Sequence, residues 1–198
     1  TLVKDANGFI AADNTDVYGF EYLVKSLKVN LSQKKAIVLG AFGGAGQAIC
    51  YALKKGGAYV VGVSRNPHES SSYVDCVITY DQLKSHCDAD LLVNATPVGM
   101  FPHADVSPLS KEELSAFTSL QCVIDLIYNP LRSQLLLDAE SLGILSANGL
   151  KMLVAQAAKA SSLFLGTEVS DSQIESVSRE LRASKENIVL IGMPGVGK

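Results

Sequence analysis

The segment Lys35-Ala36-Ile37-Val38-Leu39 runs directly into Gly40-Ala41-Phe42-Gly43-Gly44-Ala45-Gly46, and then into Gln47-Ala48-Ile49-Cys50-Tyr51-Ala52-Leu53. The first part is a short apolar run ended by glycine, the pattern of a buried strand. The last part places Ala48, Ile49, Ala52 and Leu53 on one face of a helix over residues 44–55. Glycine lets a backbone approach a diphosphate closely, and a helix N-terminus offers unbonded N–H groups to hold it. Strand, glycine turn and helix in this order therefore point to a dinucleotide site. Phe42 interrupts the spacing, so a strict G-x-G-x-x-G is not met, and an ordinary tight strand–helix turn is the competing reading.

Outward from this unit, strands alternate with helices. Further strands are predicted over residues 58–63, 74–79, 91–95, 122–127 and 144–146, with helices near 111–117 and over 132–142. Near-continuous apolar strands joined by helices imply an α/β fold, a Rossmann-like doubly wound, mostly parallel sheet flanked by helices. Two helices fall outside the alternation, over residues 16–29 and 149–165. In the second, Gly149, Met152, Leu153, Gln156 and Ala160 share one face. One helix before the sheet and one after it read as two crossings to another domain. The expected organisation is a linker and crossing helix over 1–30, a nucleotide-binding domain over 31–148, returning helices over 149–184 and a separate beginning at 185–198.

Composition narrows the function. The chain has 198 residues, 47% hydrophobic and 19% charged, and this argues against disorder. A net charge of −3 without any basic block argues against a nucleic-acid surface. No apolar run is long enough for a membrane span. The opening Thr1-Leu2-Val3-Lys4-Asp5 is not a signal peptide and has no initiating Met, so the chain is expected to begin inside a longer product. Cys50, Cys76, Cys87 and Cys122 show neither metal-ligand nor redox spacing. Cys50 and Cys122 read as small core residues, and a cytoplasmic location follows from the absence of a disulfide framework. His68, His86 and His103 are scattered and read as surface histidines, so no metal is expected.

Other residues carry chemistry. Ser64-Arg65-Asn66 ends the second strand of the sheet, where NAD enzymes place a carboxylate for the ribose 2′-hydroxyl. No carboxylate stands there, and Arg65 suits a 2′-phosphate instead, so NADP is favoured over NAD. A solvated surface arginine is the alternative. Asn94-Ala95-Thr96-Pro97 ends a later strand, at the edge where open α/β sheets bind ligands. Asn94 and Thr96 would equally serve as loop caps. Asp16 follows Asn14-Thr15 at a helix start, where a carboxylate favours the dipole and caps N–H groups.

The ordered motifs Asn14-Thr15-Asp16-x-x-Gly19, the glycine loop, Asn94-Ala95-Thr96-Pro97-x-Gly99-Met100, Asp125-Leu126-Ile127-Tyr128-x-Pro130 and Asn148-Gly149-Leu150-x-Met152-Leu153-x-x-Gln156-Ala157 resemble shikimate dehydrogenase. The resemblance covers residues 1–166, lacks the family's N-terminal substrate domain, and departs from its glycine loop at Phe42. It implies reversible hydride transfer between NADP(H) and the C3 position of 3-dehydroshikimate and shikimate, in chorismate biosynthesis. It implies cofactor contacts from Gly40, Ala41, Gly43, Gly44, Ala45, Arg65, Asn94, Thr96, Ile127, Gly149 and Met152. It also implies substrate contacts from Thr15, Asp16, Tyr128 and Gln156, with Asp16 the catalytic partner of a lysine in the upstream substrate domain. The chain by itself is therefore expected to be inactive. Two other readings stay open, a catalytically silent metabolite-sensing homologue and a quinate/shikimate dehydrogenase using NAD. Homodimerisation is left open as well.

A separate signal closes the chain. A strand is predicted over 187–191, followed by Gly192-Met193-Pro194-Gly195-Val196-Gly197-Lys198. This fits the phosphate-cradling G-x-x-x-x-G-K loop and resembles the opening of shikimate kinase. It implies a downstream kinase domain in a fused parent, and no kinase activity for this chain. A chance glycine-rich tail is the alternative.

Overall fold

The computed structural model describes residues 1–4, 7–66 and 69–186. His68 and the expected strand and phosphate loop at 187–198 lie outside the described residues.

Six parallel strands form one sheet: β3 (Lys35–Leu39), β4 (Tyr59–Val63), β5 (Cys76–Ile78), β6 (Leu91–Asn94), β7 (Cys122–Asp125) and β8 (Leu145–Asn148). Their spatial order is β5-β4-β3-β6-β7-β8, so the chain reverses direction of travel between β3 and β6. Side chains on a strand alternate between faces. Ala36, Val38, Leu91, Val93, Cys122 and Ile124 accordingly face one apolar layer, and Ile37, Leu39, Leu92 and Val123 face the other. Helices α1 (Thr15–Leu27), α2 (Gly44–Lys55) and α5 (Leu150–Leu165) serve the first layer. Helices α3 (Lys111–Ser115) and α4 (Gln134–Ser141) cover the second. Both faces are thus covered, as the continuous apolar strands required.

Several elements differ from their expected extent. The third expected strand shrinks to Cys76–Ile78, because Val74 N–H turns back to the Ser71 carbonyl at 3.2 Å. The stretch after it becomes a 3-10 helix, Tyr80–His86, started by a reciprocal Thr79–Gln82 capping box. An antiparallel hairpin of β1 (Leu2–Lys4) and β2 (Ile10–Ala12), absent from the sequence reading, precedes α1. A last helix, α6 (Asp171–Lys185), packs on α5 through buried Ile174. Buried Cys50 and Cys122 have thiols pushed up to about 12 by desolvation, which makes them unreactive packing groups. Among the described residues no helix is long and apolar enough to cross a membrane. No cluster of three metal-ligating side chains occurs among them either.

Two close approaches lock α1 and α5 in place. A Cβ at Gly19 of α1 would lie 2.6 Å from the Met152 carbonyl oxygen of α5. A Cβ at Gly149 would lie 1.9 Å from the Leu126 carbonyl oxygen, just beyond β7. Gly149→Ala should therefore cost about 2 kcal/mol of stability or more, through forced backbone displacement. Gly44→Ala meets nothing within 4 Å and should instead give a small gain, about 0.5 kcal/mol. Urea denaturation of the two variants checks the contrast.

Candidate functional site

The carboxyl ends of β3, β4 and β6 surround a cleft of about 650 Å³. It lies at the point where strand order reverses, the place open α/β sheets present to ligands. One wall is the loop Gly40–Gly43, and the opposite wall is Ala95–Val98. Arg65 and Tyr80 stand at the β4 end.

The glycine loop is a tight turn. Gly40 takes φ +74°, a backbone conformation that suits glycine, and Gly43 N–H closes the turn on the Gly40 carbonyl at 3.1 Å. Helix α2 then starts with Gly43 as N-cap and no side-chain cap. A Cβ at Gly46 would lie 2.1 Å from the Gly40 carbonyl oxygen, so the helix start and the strand end fit only without one. Among the described residues the N–H groups of Gly44, Ala45 and Gly46 have no hydrogen-bond acceptor, as first-turn donors of a helix generally do not. Phe42 does not break the loop: its ring packs toward Gly62 of β4 and lines the cleft, while Ala41 is buried.

Residues at the ends of β6 and β7 form a second assembly. Asp125 is fully buried, and its carboxylate accepts from Asn94 Nδ2 at 3.0 Å, from Ile127 N–H at 3.1 Å and from the Ser133 hydroxyl. Asn94 Oδ1 in turn accepts from Thr96 N–H at 3.0 Å and from Thr96 Oγ1 at 2.6 Å. The Asn94 side chain, expected at a cofactor, is thus turned inward and engaged, and Ala95 and Thr96 form the cleft wall in its place. Neither Asp125 nor Ser133 was singled out as a site residue. Their meeting depends on the loop over 126–132 bringing Ser133, at the start of α4, back to the end of β7, which local sequence does not display.

Of the residues expected at a substrate, Thr15, Asp16 and Gln156 fall on α1 and α5, where the two helices cross. Thr15 Oγ1 donates to Gln156 Oε1 at 3.3 Å, joining two of them. Asp16 is half-buried in the first turn of α1, and its N–H donates to Asn14 Oδ1 at 3.2 Å. Asn14, rather than Asp16, is therefore the helix cap. Met152 is buried in the core beneath Gly19, which commits its side chain to packing. Ile127 is buried, and Tyr128 beside it is 39% exposed on the loop after β7. Among the described contacts none joins Tyr128 to Thr15, Asp16 or Gln156. Gly149 N–H donates to the Ile127 carbonyl at 3.1 Å, so α5 begins directly behind that loop.

Two further groups in the cleft escaped the sequence reading. Ser107 lines it with a buried hydroxyl that has no partner among the described residues. Glu69 lines it too, its carboxylate accepting from the Ser64 hydroxyl, so a carboxylate does stand near the end of β4. The orphaned Ser107 hydroxyl, the open space at Gly44 and the three unbonded N–H groups all fit a phosphate-bearing dinucleotide.

Fold and cleft define a Rossmann-like α/β domain. The chain is a homologue of the shikimate dehydrogenases. No protein-family model matches it. A shikimate dehydrogenase (NADP(+)) of Caldanaerobacter subterraneus is 38% identical over 177 residues, covering 83% of this chain and 61% of that relative. The crystal structure of a chorismate mutase/shikimate 5-dehydrogenase fusion protein from Clostridium acetobutylicum superposes with a TM-score of 0.84 at 32% identity, over 92% of this chain and 66% of that one. Shikimate 5-dehydrogenase from Thermus thermophilus, in complex with NADP(H) and shikimate, gives 0.75 at 32% identity, over 90% and 66%. The chain thus spans somewhat less than two thirds of these relatives.

Burial raises the Asp125 carboxyl from 3.8 to about 6, against the lowering effect of its hydrogen bonds from Ser133, Ile127 and Asn94. The folded protein therefore holds this proton more tightly than the unfolded chain. That contribution to stability is full below about pH 3.8 and is lost as pH rises through about 6. Asp125→Asn keeps the shape without the ionisation, so the wild-type-minus-variant stability difference should fall by on the order of 3 kcal/mol between pH 4 and 7. Denaturation curves across that range read it, and a flat difference refutes the role of ionisation.

Proposed function

We propose that this chain is the cofactor-binding portion of a shikimate dehydrogenase, serving the reversible NADP-dependent interconversion of 3-dehydroshikimate and shikimate. The observation that carries the reading is the cleft at the strand-order reversal, with Gly43, the N-cap of α2, on its wall and Arg65 at its end. It occurs in a chain 38% identical to a relative bearing that name.

In this reading the N–H groups of Gly44, Ala45 and Gly46 hold the diphosphate, and Gly40, Ala41 and Gly43 give it room to approach. Arg65 pairs with the 2′-phosphate through charge-assisted hydrogen bonds. Thr96, held by Asn94, and Ile127, held by Asp125, fix the wall along which the reactive end lies, and Gly149 brings α5 up behind it. Met152 contributes by seating α5 on Gly19. A bound nicotinamide supplies the hydride, while the protein supplies position and electrostatics. Thr15, Gln156 and Tyr128 hold substrate hydroxyl groups. Asp16 orients the substrate and steadies a protonated lysine carried by the whole enzyme, which delivers the proton to the developing alkoxide. The cytosol is the compartment.

Titration calorimetry with NADPH tests the binding half. Arg65→Gln should weaken NADPH by roughly tenfold or more and leave NADH nearly unchanged, the loss of a hydrogen bond to a charged group. The 198 residues alone should bind the dinucleotide but give little or no NADP-linked oxidation of shikimate. Full turnover would show that the proton donor lies within this chain.

A further inference from the structure

We infer that Glu69 is a cofactor-specificity residue that admits the dinucleotide lacking a 2′-phosphate, so that this chain takes NAD(H) as well as NADP(H). The inference rests on the reading of the cleft given above and concerns its β4 end alone.

Hydrogen bonds tie Ser64, Asn66 and Glu69 together at the end of β4. Ser64 N–H is fixed to the Ile78 carbonyl of β5 at 3.0 Å, which pins the strand end in the sheet. Asn66 N–H donates to Ser64 Oγ at 3.0 Å, and Glu69 N–H donates to the Asn66 carbonyl at 3.4 Å. These bonds hold the Glu69 carboxylate on the Ser64 hydroxyl, in the same cleft as Arg65 and Tyr80. Among the described residues no salt bridge involves Arg65 or Glu69, and both line the cleft.

The two charges make opposite demands. A guanidinium favours a phosphate dianion, but one cation beside one fixed anion leaves that dianion largely uncompensated. The carboxylate repels it at separations well under the Debye length of about 8–10 Å, where salt screens little. A ribose 2′-hydroxyl reverses the balance: it donates a hydrogen bond to a carboxylate and needs no counter-charge. An acidic side chain near the end of the second strand of the sheet is the general means of holding that hydroxyl. Ser64 keeps Glu69 in position, since its hydroxyl proton is directed to the carboxylate and its oxygen still accepts from Asn66. The β4 end is therefore built for both adenosine forms.

Fluorescence titration of the intact chain with NADPH and NADH tests this, alongside Glu69→Gln and with folding checked by circular dichroism. The wild type should bind the two within about tenfold of each other, and Glu69→Gln should tighten NADPH by about tenfold while weakening NADH severalfold. A wild type that prefers NADPH by more than about a hundredfold, or a preference unmoved by Glu69→Gln, overturns the assignment and leaves the cleft reading intact. Failure of both dinucleotides to bind the wild type overturns the cleft reading, and this assignment with it.

Discussion

One buried carboxylate, Asp125, joins the parts on which the cleft depends. It gathers the β6 end through Asn94, its own β7 end through the Ile127 N–H, and the approach to α4 through Ser133. Ser133 heads α4 but makes no cap with its hydroxyl, because that hydroxyl is committed to Asp125. Asn94, so held, arranges Thr96 and the loop that walls the cleft. Each donor offsets part of the cost of burying a carboxyl group, and none of the three is replaceable by water in that interior. The upward displacement of its acidity follows from the same burial.

The sheet was legible because β3, β4, β6 and β7 are nearly continuous apolar runs, and two-sided burial demands that pattern. The α1 and α5 crossing helices were legible from their apolar faces. The β1–β2 hairpin was not, since Ile10, Ala11 and Ala12 are all exposed and show no alternation of inside and outside. The strand expected over 74–79 was overextended because the Ser71–Val74 turn competes with pairing at its start, and the Thr79 capping box ends it.

The site was legible where a residue's role is local and illegible where it depends on chain return. Gly40 and Gly43 shape the turn they sit in, and Gly44 opens the helix after it. Asn94 was found but faces the interior, because a strand-end asparagine has two directions to choose from and only the neighbouring Asp125 decides between them. Glu69 is not legible as a strand-end residue because it lies five positions beyond Ser64, and only their contact in the fold brings the carboxylate to the strand end. The absence of an acidic residue at residues 64–66 was thus correct as sequence and incomplete as geometry.

Gly19 has a consequence for how the surface formed by α1 and α5 can change. With the Met152 carbonyl occupying the space a methyl group would need, α1 and α5 touch backbone to backbone. At Gly19 no side chain of α1 stands between the two backbones, and Met152 and Gln156 of α5 fill the space beside it, so the pair cannot spread there without opening a void. Thr15 and Gln156 ride on one rigid frame anchored to the sheet. Selection for a new ligand shape would have to act by exchanging the groups displayed on that frame, while the spacing of the helices beneath stays constant.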